Sequence, residues 1–229
     1  MRRNELVAEL SRVSRTLLSE DDVQHTLDRA VASAIYLIDE CDHAGVSIVR
    51  QKQHVDTPAA TSEVARRGDQ LQYELNEGPC LDAIWKQETI SCVDLSNDPR
   101  FPVWGPRVVE ELGVRSMQCF QLFTDNETLG ALNLYSETVG GFIEGKDAEG
   151  LALAAHVAIA LASAQKVEHL NLAILNRTAI GQAEGILMER FDISAQQAFT
   201  VLTRVSQDRN IKLRDIAIEI VATRLTPGL

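Results

Sequence analysis

Apolar residues first recur at a spacing of three to four. Leu6, Val7, Leu10, Val13 and Leu17 share one face, which predicts an amphipathic helix over residues 4–18. A second helical pattern runs through Val23, Leu27, Ala30, Val31, Ala34 and Ile35 to about Ile38. Ser19, with the acidic Asp21 and Asp22, supplies its start. The period then changes. GVSIVR, TISCVDL, VRSMQCFQLF and LGALNLYS are short, rich in β-branched and aromatic residues, and bounded by turn residues, so they predict strands. Thr124-Asp125-Asn126-Glu127 reads as a hairpin turn between two of them. EGPCLDAIWKQ and PVWGPRVVEELG read as helical inserts, the second ended by Gly113. Strands and helices mixed at these lengths predict an α+β domain: an antiparallel sheet with helices on one face.

From Asp147 the strand signal ends. Residues 147–175 predict one long helix with two apolar stripes. One holds Leu151, Ala154, Ala158 and Leu161, and the other Leu153, Val157, Ala160, Ala164 and Val167. Two stripes imply two contacts, one with the domain and one with a partner helix. Gln165 and Glu168 interrupt the first, so a long, unbroken coiled coil is not expected. Three shorter helices follow. Residues 177–190 are expected to bury Ile180, Ala183, Leu187 and Met188. Residues 195–208, opened by a Ser194/Gln197 capping box, are expected to bury Ala198, Phe199, Leu202 and Val205. Residues 211–224 present Leu213, Ile216, Ala217, Ile220 and Val221. The pattern therefore divides the chain into an α+β domain (1–146), an all-α coiled-coil linker (147–176) and a three-helix bundle (177–229). A bundle this small is expected to dock or dimerise through the long helix.

Composition narrows the function. The chain has 229 residues, 45% of them hydrophobic and 24% charged, with a formal net charge of −11. That charge argues against a protein that coats nucleic acid without specificity. The balance is uneven: residues 1–164 hold 14 Lys and Arg against 26 Asp and Glu, whereas residues 165–229 hold 8 against 7. A near-neutral tail permits nucleic-acid binding through a local patch only. Cys41, Cys80, Cys92 and Cys119 form no CxxC pair, and no His stands at zinc-finger spacing, so reduced thiols in a cytoplasmic protein are expected. Glu5 and Glu9 interrupt the opening run, which does not read as a signal peptide. The apolar run 150–164 contains His156 and is shorter than the ~20 residues that span a bilayer, so no membrane is expected.

The segment RTAIGQAEGILMERFDISAQQAFTVLTRVSQDRNIKLRDIAIEIV, Arg177 to Val221, resembles the ANTAR family. It supplies Arg177, Ile180, Ala183, Gly185, Leu187, Met188, Ala198, Leu202, Ser206, Asn210, Leu213, Arg214 and Ala217 in the family's order. The resemblance implies dimers that bind paired hexanucleotide-loop hairpins in nascent transcripts, so that a terminator does not form. The residues fit that role, because hairpin loops are read by splayed bases, hydrogen-bonding side chains and cations. Arg177, Gln182, Arg204, Asn210, Lys212 and Arg214 are polar or cationic and lie off the apolar stripes, and Gly185 would let a backbone come close. One position departs from the family: Glu184 stands where Lys is usual, so either the position faces elsewhere, or RNA is bound weakly through loss of a phosphate contact, or a different RNA is bound.

Residues before 160 resemble a GAF domain through Tyr73–Ile84 (YELNEGPCLDAI), Thr89–Pro102, Gly113–Phe123 and Leu129–Ser136. That resemblance implies a sensing domain and leaves its ligand, a small molecule if there is one, unspecified. Tyr73, Cys80, Trp85, Phe101, Trp104, Cys119 and Phe142 are candidates to line the pocket.

Three rivals remain. Some GAF-fold proteins reduce free methionine sulfoxide with cysteines, and Cys80 lies in a comparable place. The reactive Cys expected in an H-x-x-C setting is missing from Pro99–Trp104, so no enzyme is expected. The ANTAR-like tail could instead dock on a protein partner, an alternative that Glu184 and the acidity favour. DNA binding is not expected, since residues 195–208 have only Arg204 as an interior cation. No receiver domain precedes the tail, so phospho-aspartate control in cis is not expected either.

Overall fold

The computed structural model describes residues 3–20, 22–50, 54–86, 89–125, 127–143 and 147–224, with side chains from Val7 onward. The chain forms two compact units, Met1–Gln165 and Lys166–Leu229.

The first unit is built on a five-stranded antiparallel sheet. Its strands are β1 (His43–Val49), β2 (Val55–Ala60), β3 (Thr89–Cys92), β4 (Ser116–Phe123) and β5 (Thr128–Ser136), in spatial order β2-β1-β5-β4-β3. β5 is central. Leu132 pairs with Val46 on one side and Phe120 on the other. The predicted 124–127 turn joins β4 to β5 through Thr124 N–H to the Glu127 carbonyl, although Asn126 itself lies outside the described residues. Both faces of β5 are buried, so its strand shows no alternation of apolar and polar positions, and Asn133 in its middle is buried with the rest.

Helices consequently cover both faces of the sheet, not one. Val46, Phe120, Leu122, Leu132 and Leu134 form a core with α1 (Arg3–Leu18), α2 (Val23–Leu37) and the start of α6 (Ala148–Phe191). Met117, Cys119, Ala131 and Tyr135 form a second core with α3 (Glu63–Leu75), α4 (Pro79–Trp85) and α5 (Trp104–Leu112). The expected helices themselves divide between the two faces, α1 and α2 on one and α4 and α5 on the other, and their patterns did not reveal which face each would join; α3 escaped notice as well. Its buried residues include Gly68, Asp69 and Gln72, so its inner face does not register as an apolar stripe. β2 escaped too. It carries Pro58 and sits at the sheet edge, where a missing donor is tolerated.

Helix α6 runs 44 residues without a break, so the linker helix and the first tail helix are one element. Nothing at Asn176-Arg177 stops it: neither Gly nor Pro interrupts the pattern there. Among the described residues α6 is the one helix long and apolar enough to cross a membrane. Its apolar residues Leu153, Ala154, Val157, Ala158, Ala160 and Leu161 are instead buried in the first core.

The second unit packs the end of α6 against α7 (Ala195–Arg209) and α8 (Leu213–Thr223). Ala183, Leu187, Ala198, Leu202, Ile216, Ala217 and Ile220 are its buried core. Ser194 and Gln197 make the predicted capping box. Asn210 ends α7 in the left-handed region at φ 50°, and Ile211 N–H reaches the Ser206 carbonyl at 3.1 Å. The Ser206 hydroxyl returns to the Ile211 carbonyl at 2.6 Å. Two expected core residues are on the surface: Met188 and Phe199 are 37% and 48% exposed. Phe199 follows Ala198, whose small side chain takes the inward position, so the ring is turned about 100° away from the core.

Candidate nucleic-acid interface

All seven residues predicted to meet RNA are exposed, but they are not one patch. Arg177, Gln182 and Gly185 lie on α6. Five residues separate Arg177 from Gln182, which turns them about 140° apart. Arg204 lies on α7, while Asn210, Lys212 and Arg214 surround the α7–α8 turn. Asn210 has a backbone duty there as the left-handed cap.

Arg177 is the residue the fold sets into a concave site. A groove of about 610 Å³ is lined by Ala173, Asn176, Arg177, Ile180, Gly181, Glu184 and Phe199. Positions 173, 177, 180, 181 and 184 recur at three and four along one helical face. Gly181 carries no Cβ and has nothing within 4 Å of the place where one would be, so the groove floor stays open. The same holds at Gly185. Arg177 forms no ion pair or side-chain hydrogen bond with a described residue. The arginines near the turn are paired, whereas Lys212 has no ion pair among the described residues: Arg204 faces Asp208 at 3.7 Å, Arg209 faces Glu219 at 3.2 Å and Arg214 faces Asp215 at 3.0 Å. Such exposed pairs hold their partners weakly. Glu184, the departure from the family pattern, is half-buried and lines the groove together with Arg177 and Phe199.

The groove thus brings together an exposed aromatic face, a free guanidinium, a carboxamide and a carboxylate over an apolar floor. An aromatic ring stacks an unpaired base, a guanidinium meets phosphate, and amide and carboxylate groups read base edges. Asn176, Gly181 and Phe199 were missed in the sequence. Phe199 was assigned to the core, and the other two acquire meaning only when α6 is seen to run straight through residue 176.

The candidates for a sensing pocket divide. Tyr73, Cys80, Phe101, Trp104 and Cys119 belong to the core on the α3–α5 face of the sheet. Phe142 is buried in the opposite core, and Trp85 is on the surface, 47% exposed at the end of α4. These two therefore do not join that cluster. Phe101 and Trp104 meet edge to face at 6.3 Å, and Trp104 Nε1–H donates to the Gly68 carbonyl at 3.2 Å. The Glu77-Gly78-Pro79-Cys80 run is explained by structure. Glu77 accepts from the Val103 and Trp104 amides at 2.8 Å each, capping α5. Gly78 lies at φ 150°, and a Cβ there would strike the Gln72 side chain. Pro79 opens α4, and the Cys80 amide donates to Gln72 Oε1 at 2.8 Å.

Over the sheet lies a buried polar cluster. Asp69 accepts from Tyr135 OH, from Asn133 Nδ2 at 2.8 Å and from Thr57 Oγ1 at 2.9 Å. Tyr73 OH meets Ser47 Oγ at 2.6 Å and Thr57 Oγ1 at 2.8 Å. Cys80 Sγ donates to Ser47 Oγ at 3.1 Å. Burial pushes the Asp69 carboxyl up to about 6 against the pull of its three donors. Burial likewise pushes the Cys41 and Cys80 thiols up to about 12, and raises Cys92 and Cys119. Thiols held protonated in this way are poor nucleophiles, which bears against sulfoxide reduction at Cys80.

The comparisons agree with this anatomy. Residues 20–162 match the GAF domain model and residues 168–221 match the ANTAR domain model. The chain belongs to the GAF domain family and carries an ANTAR domain after it. GAF domains are sensors and ANTAR domains are RNA-binding antitermination modules, so the architecture is regulatory. No curated protein matches the sequence. Among solved structures, the chain is similar to the GAF domain of an Acinetobacter phosphoenolpyruvate-protein phosphotransferase. Identity is 16% over 73% of this chain and 98% of that one, with a TM-score of 0.56. It is also similar to the free methionine-R-sulfoxide reductase of Neisseria meningitidis in complex with its substrate, at 15% identity over 73% and 96% and a TM-score of 0.57. A bacteriophytochrome of R. palustris is 12% identical over 91% of this chain and 47% of that one, with a TM-score of 0.58. At these identities the likeness is one of fold.

Proposed function

We propose that this chain is a transcription antitermination regulator. Its ANTAR domain binds paired hairpin loops in nascent RNA, and its GAF domain gates that binding. The observation that carries the reading is the groove beside Arg177, whose wall includes the exposed ring of Phe199. An unpaired loop base stacks on Phe199, and Arg177 holds the adjoining phosphate. Glu184, set inside the groove, accepts from a base amino group instead of meeting phosphate. The Lys-to-Glu departure then changes which base is read and does not by itself abolish binding. Lys212, Arg214 and Arg204 supply outer phosphate contacts.

Two hairpins call for two tails. Val167, Leu170 and Ile174 are large, exposed and spaced as one helical seam on α6, which supports a homodimer there. The same row supports the alternative, a tail that docks on another protein. α6 contributes to both units and is the proposed route by which the GAF domain alters presentation of the tails. No catalytic step is part of this function.

An electrophoretic shift with a two-hairpin leader RNA tests it. Binding is expected at micromolar protein, weakening by orders of magnitude between about 50 and 200 mM salt. Removing either hairpin should weaken it further. Absence of binding at low salt overturns the RNA reading in favour of a protein partner.

A further inference from the structure

The sheet face opposite Cys80 carries a cavity of about 300 Å³, where α6 begins. Ile38, at the end of α2, and Phe142, after β5, are buried in its wall, and Ile143 stands half-exposed beside them. Gly140 and Gly141 leave bare backbone along one side. Gln118 of β4 also lines it and is only 2% exposed. Its Nε2 donates to Ser91 Oγ at 2.9 Å, while its carbonyl oxygen accepts from no described residue. That oxygen is not sealed in the core: among the described residues, the fully enclosed side-chain polar atoms without a partner are Arg115 Nε and Asn133 Oδ1. It is open to the cavity and needs a donor from there. Glu40 and Glu149 stand at the rim, and the first turn of α6 forms another wall.

We propose that this cavity binds a small uncharged molecule with an apolar body and an amide-type head. The apolar walls take the body. The Gln118 carbonyl takes an N–H, and the first turn of a helix offers N–H groups to an acceptor on the same head. Two carboxylates at the rim disfavour anions. The volume is at the small end of ligand pockets and suits one ring with its substituent. The site lies across the sheet from Tyr73 and Cys80, where the sequence pointed. It has a property that location lacks: the ligand would touch the first turn of the helix that continues into the ANTAR domain.

Benzamide, benzoate and benzylamine are the probes, titrated into the full chain and followed by amide chemical shifts. Benzamide is expected to shift residues 38–40, 117–119, 140–143 and 148–151, with a dissociation constant on the order of 1 mM for nine heavy atoms. Benzoate should bind at least ten-fold more weakly, and benzylamine no better than benzamide. Ala148→Trp, at an exposed position on the rim, should abolish these shifts without disturbing the fold. Gln118→Leu should weaken benzamide about five-fold while leaving toluene unaffected, the loss expected for one neutral hydrogen bond. The proposal is overturned if benzamide gives no shifts here at about 10 mM, well above the expected constant. Equal binding of benzoate, tighter binding of benzylamine, or shifts that survive Ala148→Trp would overturn it as well. The titration contains no RNA, so its outcome is independent of what the tail binds.

Discussion

Among the described residues, every buried polar side chain belongs to the first unit, including Asp69, Gln72, Gln118 and Asn133. In the tail the buried residues are all apolar: Ala183, Leu187, Ala198, Leu202, Ile216, Ala217 and Ile220. A domain that buries a hydrogen-bonded cluster commits it to one arrangement, because each member left unpaired is costly. A bundle with seven small or medium core residues has little stability to spare, and keeps its polar groups at the surface where they are free to bind. The two regions therefore differ in what a substitution should do to each, and four experiments sharpen that contrast or break it.

The largest effect is expected at Leu202. It is fully buried where α7 meets the tail core. Leu→Ala at such a site costs about 2–5 kcal/mol, against the ~3–5 kcal/mol that a core of this size supplies. Leu202→Ala should leave the tail unfolded, read as lost amide protection over residues 177–224. The melting of the GAF domain should be unmoved. A fall in both transitions together would mean that the units are not separate in stability.

Asp69 tests the other region. Its carboxyl is raised from 3.8 to about 6 by burial, so the folded state holds the proton more tightly than the unfolded chain. Stability from this group is complete below about pH 4 and is lost as pH rises through about 6. The difference across that window is on the order of 3 kcal/mol. Asp69→Asn cannot ionise and should flatten the curve, so that the variant gains on the parent between pH 4 and 7. Equal pH slopes for the two proteins in denaturant titrations would show that Asp69 stays charged in the fold.

The same contrast explains what could be read from sequence. Where polarity marks the surface, as in the tail, the apolar stripes located α7 and α8 and most of their core. Where polarity is buried, the reading failed: α3 was overlooked because Asp69 and Gln72 occupy core positions, although α4 and α5 of the same layer were recognised. The residues proposed to line a GAF pocket divide: Tyr73, Cys80, Phe101 and Cys119 gather in one core, while Phe142 joins the other and Trp85 the surface, because which face a side chain joins depends on strand register and connection. In the tail, Arg177 was recognised from the family pattern. Phe199 was not, because an aromatic at helical spacing carries no mark of whether it packs inward or stands free.

Phe199 and Arg177 come next. Removing a base-stacking ring costs about 1–3 kcal/mol, or roughly 5- to 100-fold in RNA affinity. Phe199→Ala should show that loss with no fall in thermal stability, since the ring is half-exposed. Arg177→Ala should weaken RNA binding and lower its salt dependence by about one unit of slope. Phe199→Ala that destabilises the tail and spares RNA binding would return the ring to a packing role and remove the groove from the proposed interface.

The smallest effect is expected at Arg204, and it separates a surface charge from a binding one. Arg204 pairs with Asp208 at 3.7 Å, and both side chains are open to water. Salt screens such a pair, and it holds the helix weakly. Arg204→Ala should therefore leave melting within about 2 °C of the parent. If Arg204 leaves Asp208 to meet phosphate, the variant should still lose about one unit of salt slope, uniformly across RNA sequences. Asp208→Asn provides the converse, freeing Arg204 and modestly raising RNA affinity at low salt. Two silent variants would place α7 beyond its Phe199 end outside the interface and confine RNA contact to the groove and the α7–α8 turn.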